Sequence, residues 1–308
     1  MLAAAAAAGL WYITAPTRLQ AETFDGIQPG DAGRGERVFW AAGCAACHAR
    51  PDAEDEARPE LAGGVELKTP FGTFVAPNIS PDPEDGIGNW TEAQFADAVM
   101  RGVAPDGSHY YPAFPYPSYA RMKPQDVADL FAFLKTLPAV KGRPRGHVLS
   151  FPFNIRRGIG LWKYFHMHDE PVIALPADAS EAVRRGQYLV EGPGHCGECH
   201  TPRLFTGGLD YDQWLAGAEA FEGKGIVPNI TPSAEGLESW SESDIAYFLE
   251  SGFTPDFDSV GGSMAEVQKN MAHLPAEDRE AIAAYLKAIP PRPNGYAAKP
   301  AGEGGNGS

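Results

Sequence analysis

Cys44-Ala45-Ala46-Cys47-His48 and, about 150 residues later, Cys196-Gly197-Glu198-Cys199-His200 hold all four cysteines of the chain. Cys-x-x-Cys-His is the attachment signature of a c-type haem: each thiol adds to a vinyl group, and the adjoining histidine becomes the proximal iron ligand. The spacing places the three groups on one helical turn. A redox dithiol, a disulfide pair or a zinc ion shared by the two motifs are the competing readings. The repeat extends well beyond the cysteines, and a shared zinc ion does not require duplication of whole domains.

Around the motifs the duplication runs residue by residue. Arg34-Gly35-Glu36-Arg37 answers Arg185-Gly186-Gln187-Tyr188, Pro77-Asn78-Ile79-Ser80-Pro81 answers Pro228-Asn229-Ile230-Thr231-Pro232, and Trp90-Thr91-Glu92 answers Trp240-Ser241-Glu242. Thr91 with Gln94, and Ser241 with Asp244, have the spacing of capping boxes. The helices they open carry Phe95 and Val99, or Ile245 and Leu249, and stop at Gly102 and Gly252. Val127, Leu130, Phe131 and Leu134, and later Ile282, Tyr285, Leu286 and Ile289, form the apolar stripes of two closing helices that Pro138 and Pro290 end.

Helix, haem motif, loop, helix, ligand loop and closing helix is the order of class I cytochrome c domains. The chain resembles more closely the membrane-associated cytochrome c subunits of bacterial periplasmic dehydrogenases of the alcohol and gluconate type. Val75-Ala76-Pro77-Asn78-Ile79, Tyr111-Pro112-Ala113-Phe114-Pro115-Tyr116, Tyr188-Leu189-Val190-Glu191-Gly192 and Met264-Ala265-Glu266-Val267 carry the likeness. Those subunits commonly bear three haems, and this chain has motifs for two. The resemblance implies an all-α fold of two tandem class I cytochrome c domains with long irregular loops, and two covalently bound haem c groups. Residues 1–22 then form a signal or anchor, 23–140 and 183–290 the two domains, 141–182 a basic linker or crossover, and 291–308 a disordered tail.

His48 and His200 are the expected proximal ligands, with Cys44, Cys47, Cys196 and Cys199 as haem attachment points. Methionine is the distal ligand the resemblance implies. Met264 follows Trp240 by 24 residues, behind a glycine-rich lead, and is preferred to Met271; the same count from Trp90 reaches Phe114, which cannot bind iron. Met122 is the favoured substitute, ahead of His109 and Met100. Trp90, Trp240, Asn78 and Asn229 recur at matching positions and have two readings, as N–H donors to haem propionates or as core and turn residues.

The formal net charge of −15 excludes nucleic acid as a partner and favours basic docking proteins. Asp52, Glu54, Asp55, Glu56 and Glu60 follow the first motif as an acidic docking run. From Lys141 to His168 there are six cations and no carboxylate, with haem propionates, anionic lipid and plain solvent as candidate neighbours. Residues 2–15 form an alanine-rich apolar run ending near Trp11 and Tyr12. It reads first as an uncleaved membrane anchor, then as a cleaved export signal, then as a buried helix. The first two readings place the body on the periplasmic side of a bacterial inner membrane.

The function these features imply is electron transfer from a periplasmic dehydrogenase to a respiratory acceptor, with no catalytic residues. The alternative is a dihaem enzyme such as a peroxidase, whose displaceable iron ligand would sit where Phe114 interrupts the pattern.

Overall fold

Gly35 and Gly186 sit where two helices cross so closely that a side chain has no room. A Cβ on Gly35 would lie 2.0 Å from the Asp129 carbonyl oxygen, and one on Gly186 would lie 1.9 Å from that of Ala281. Each repeated Arg-Gly pair therefore marks a helix crossing. In the computed structural model, which describes residues 1–51, 53, 58–220, 225–294 and 296, the chain divides into two compact units, Met1–Glu170 and Pro171–Ser308.

The first unit opens with α1 (Leu2–Ile13) and continues through α2 (Ala32–Ala41) and α3 (Cys44–His48). A hairpin of β1 (Glu66–Thr69) and β2 (Gly72–Val75) follows, then α4 (Glu92–Arg101), α5 (Tyr116–Tyr119) and α6 (Pro124–Leu134). β3 (Val148–Leu149) adds antiparallel to β2, and α7 (Gly158–His166) ends the unit. Thr91 and Gln94 complete the capping box of α4, and Gly102 ends that helix in a left-handed conformation at φ 58°. The stripe Val127, Leu130, Phe131 and Leu134 of α6 is buried in one cluster with Phe39, Phe95 and Val99.

The second unit repeats the plan with α8 (Glu181–Glu191), α9 (Gly197–His200), the short β4 (Ala218–Glu219) and β5 (Ile226–Val227), then α10 (Glu242–Ser251), α11 (Met264–Met271) and α12 (Ala276–Ala288). Ser241 and Asp244 form its capping box. The fold is mostly helical, as expected, with two small antiparallel sheets among the described residues. Isolated bridges Val103–His109 and Phe253–Ser259 close matching loops after α4 and α10, so the register of the repeat holds through this region.

Three boundaries differ from the sequence expectation. Residues 141–170 belong to the first unit because the cations of the supposed linker find partners on its body. Arg143 pairs with Asp85, Arg145 with Glu66, Arg156 donates to the His109 carbonyl, and Lys163 donates to the carbonyls of Arg101 and Gly102. Residues 171–173 are likewise drawn onto the second unit, where the buried Glu191 carboxylate accepts from the backbone N–H of Val172 at 2.7 Å and of Ile173 at 3.2 Å. The tail is anchored at its start: Asn229 Nδ2 donates to the Arg292 carbonyl, and the Tyr296 carbonyl accepts from the Asn229 N–H. The N-terminal run is helical as α1. At 1.5 Å per residue it reaches about 18 Å, short of a bilayer core of about 30 Å. No helix among the described residues is long and apolar enough to cross a membrane.

Candidate haem sites

Each haem motif is a single helical turn, and its entry backbone bends to let the turn begin. Gly43 precedes α3 at φ 60°, and His195 stands before the second motif at φ 39°. No disulfide joins the cysteines. Cys47 and Cys199 are exposed while Cys44 and Cys196 are half-buried. Burial pushes the Cys44 and Cys196 thiols up to about 12, with the neighbouring cysteine of each motif adding to the effect. That is the reverse of the depressed thiol of a redox dithiol. In each motif one thiol is thus turned toward the interior and the other toward solvent, which suits a ring bonded through two thioethers at the edge of the core. Among the described residues no three His, Cys, Asp or Glu side chains converge as ligands of a metal ion, so each motif offers one imidazole and two thiols to its own group.

The histidines are aimed in the same way in both units. His48 Nδ1 lies 2.8 Å from the Pro77 carbonyl oxygen, and His200 Nδ1 lies 2.8 Å from that of Pro228. A carbonyl only accepts, so Nδ1 carries the proton and Nε2 presents its lone pair. Desolvation holds both imidazoles below the usual histidine range, and the carbonyl opposes it only in part. This is the neutral tautomer that an axial iron ligand needs, with its orientation fixed by a carbonyl behind it. When bound, haem iron supplies a one-electron couple; the protein's part is to attach the ring, orient the imidazole and keep water from the iron.

Cys44 packs against the buried cluster of the first unit, which contains both Met122 and Met100. Burial therefore favours neither of them as distal ligand. Phe114 stands among three rings, with centroids 5.9 Å from Tyr110, 6.3 Å from Tyr116 and 5.8 Å from Tyr119, and fills an aromatic wall. His109 is buried, and its Nε2 lies 3.0 Å from the Thr14 carbonyl oxygen. Its ring thus secures the segment after α1, which commits the nitrogen a distal ligand would use. In the second unit Met264 starts α11 half-buried, whereas Met271 is buried at the far end of that helix.

The amide protons of Asn78 and Asn229 are turned to the protein itself. Asn78 Nδ2 donates to the carbonyls of Val140 at 2.7 Å and Gly142 at 2.9 Å, and its Oδ1 accepts from the Ser80 N–H. Asn229 Nδ2 donates to the Arg292 carbonyl at 2.7 Å and to Ser233 Oγ at 3.1 Å. Both asparagines strap the chain that leaves a closing helix onto the loop opposite the haem motif. Trp90 packs against the buried cluster of the first unit, and Trp240 meets Phe248 edge to face at 5.6 Å. In the acidic run, Glu60 pairs with Arg50; Asp52, Glu54, Asp55 and Glu56 lie outside the described residues.

Trp214 played no part in the sequence reading, and Glu191 entered it only through the family likeness. Trp214 is buried against the second motif so tightly that a Cβ on Gly197 would meet its ring at 2.0 Å. Glu191, just before that motif, accepts from the Tyr285 hydroxyl at 2.5 Å.

The family model for cytochrome c matches residues 32–138. A dihaem c-type cytochrome of Cereibacter sphaeroides is 55% identical over 286 residues, covering 93% of this chain and 94% of the relative. The chain belongs to the cytochrome c family. This dihaem cytochrome carries two covalently bound haem c groups and transfers electrons. It is 36% identical, over 92% of its length, to the cytochrome c subunit of a quinone-type alcohol dehydrogenase of Gluconobacter oxydans. It is 35% identical, over 83%, to that of a gluconate 2-dehydrogenase of Pantoea cypripedii. The cytochrome spans 61% and 59% of the length of those two subunits.

Proposed function

We propose that this cytochrome accepts electrons from a dehydrogenase on the periplasmic side of a bacterial inner membrane and delivers them to a respiratory acceptor. The matching pair of His Nδ1 to proline carbonyl contacts, both 2.8 Å, carries the reading, since it prepares two proximal ligands in one chain. Cys44 and Cys47 hold one haem and Cys196 and Cys199 the other, with His48 and His200 as proximal ligands. Met264 serves as the distal ligand of the second haem and Met122 of the first. Residues 2–15 attach the protein to the membrane.

Dehydrogenase-associated relatives support the choice of donor, and the apolar composition of α1 supports the attachment. The test mixes the purified oxidised cytochrome with a quinone-type alcohol dehydrogenase and ethanol, and follows the haem absorption bands. Both haems are expected to reduce at a rate first order in the dehydrogenase. Reduction that needs a chemical reductant would remove this class of donor. Met264→Ala and Met122→Ala should each abolish one methionine-to-iron charge-transfer band. If Met122→Ala leaves the spectrum intact while Met100→Ala changes it, the assignment at the first haem passes to Met100.

A further inference from the structure

Within the carboxylate-free stretch 141–168, Arg156, Arg157 and Lys163 turn onto the body of the unit while several large apolar side chains face outward. Arg157 Nε donates to Thr14 Oγ1 at 3.0 Å, and its guanidinium lies 4.0 Å above the Trp11 ring. Arg156 covers the Tyr111 ring, and Lys163 covers that of Tyr116. Gly160 lets α7 press directly on the segment after α1, since a Cβ there would lie 2.3 Å from the Thr14 carbonyl oxygen. The end of α1, the loop 151–155 and α7 therefore form one face. On it Phe151 is 79% exposed, Tyr164 69% and Phe165 61%, and Ile155, Trp11 and Tyr12 are exposed beside them. A soluble surface rarely leaves so many large apolar side chains of adjoining segments uncovered.

We propose that this face, formed by residues 151–165 together with the end of α1, seats in the headgroup boundary of a lipid bilayer and orients the first unit on the membrane. The inference rests on the attachment of residues 2–15 and adds residues 151–165 to it as a further contact. Three observations choose lipid as the occupant. Tryptophan, tyrosine and phenylalanine mixed with aliphatic residues is the composition of an interfacial belt. In a chain of net charge −15 the stretch carries no carboxylate that would have to shed its water at the membrane. Protein interfaces typically carry about one hydrogen bond per 100–200 Å², whereas the donors of Arg156, Arg157 and Lys163 are already turned to carbonyls, a hydroxyl and rings of the body.

The experiment floats the full-length haem-loaded protein on vesicles of phosphatidylcholine, and on the same vesicles containing phosphatidylglycerol. The variant Phe151→Ser, Tyr164→Ser, Phe165→Ser is expected to lower the partition coefficient about tenfold or more, with haem content and absorption spectrum unchanged. Because the cations of the face point inward, neutral vesicles should bind at least as well as anionic ones. A second variant, Leu10→Gln with Ile13→Gln, reads the N-terminal attachment separately. If the triple variant partitions like the parent while the N-terminal variant loses binding, the face is dismissed and the attachment through residues 2–15 stands. A parent that floats with neither vesicle overturns both readings. Binding only to anionic vesicles, abolished by salt, would replace the apolar seat with an electrostatic one. Should the triple variant lose haem, Phe151→Ser and Tyr164→Ser are read singly, each expected to weaken partition about threefold.

Discussion

Arg185 holds Asp278 by two bonds, Nε to Oδ1 at 2.7 Å and Nη2 to Oδ2 at 3.0 Å, and so ties the first helix of the second unit to its last. The Asp278 side chain is fully buried. Arg34 and Asp129 make the same fork in the first unit, at 2.7 and 2.8 Å. The arginine that precedes each crossing glycine therefore locks the crossing which that glycine permits.

Removing one partner should cost more than removing both. Arg185→Met takes the guanidinium away from the buried Asp278 carboxylate, a loss of about 2 kcal/mol or more once the partial exposure of the arginine is discounted. Arg185→Met combined with Asp278→Leu should recover much of that loss. Denaturant unfolding of the holoprotein, followed at the second haem, checks this. Equal stability of the single and double variants would show that the pair is not coupled.

Acid should loosen the first unit through Asp129. Burial alone would raise this carboxyl, but the Arg34 guanidinium, the Asp31 N–H and the Gln125 amide together hold it below the usual aspartate range. A depressed carboxylate stabilises the fold in full above its unfolded value, about 3.9, and that contribution disappears as pH falls through the lower folded value. The unfolding midpoint of the parent should therefore drop with pH below about 4 more steeply than that of Asp129→Asn. Parallel curves would assign the acid sensitivity to other groups.

Gly186→Ala should be among the most damaging single-methyl additions to the protein. The added carbon would enter the Ala281 carbonyl of α12, where backbone and not a flexible side chain must yield. Overpacking of this kind costs about 1–3 kcal/mol, and Gly35→Ala should act alike on the first unit. Thermal melts of the two variants, compared with Gly158→Ala in α7 where nothing lies within 4 Å, separate steric cost from helix propensity. The control is expected to melt at or above the parent.

Phe257→Gly should stabilise the second unit. Phe257 is 90% exposed and held at φ 61°, while the matching position of the first unit is Gly107 at φ 82°. A bulky residue in this region costs about 1–2 kcal/mol, and an exposed ring returns little. The gain, reduced by the entropy of glycine, should be about 1 kcal/mol. A lower melting temperature would mean that the ring makes a contact worth more than its strain.

The duplicated features were the legible ones. Capping residues Thr91 and Ser241, helix ends Gly102 and Gly252, and the stripes from Val127 and from Ile282 are local, periodic and present twice. Trp214 was invisible because the repeat assigns its place in the first unit to Glu60, just before Leu61 and Leu215, which accept matching bonds from Ile79 and Ile230. Glu191 stood out only as part of the family likeness, since its partners Val172, Ile173 and Tyr285 are brought to it by the fold. The lack of a clear period, together with Pro144, Pro152, Pro171 and Pro176, made residues 141–182 read as a linker or an ordered crossover. A cation that pairs with a carbonyl dozens of residues away is indistinguishable, in sequence, from one that faces water. Asn78 and Asn229 recur in the repeat, but in sequence an amide that grips a propionate and one that grips a carbonyl are the same residue.

The asparagine straps also redraw where the polypeptide can be divided into autonomous pieces. Ending a fragment after Pro138 or Pro290, where the closing helices stop, would discard Val140 and Gly142, or Arg292 and Tyr296, so that the buried Asn78 amide loses both its acceptors and the Asn229 amide keeps only Ser233 Oγ. A single-haem fragment cut from this protein must therefore carry its exit chain with it: through Glu170 for the first unit, and from Pro171 through at least Tyr296 for the second.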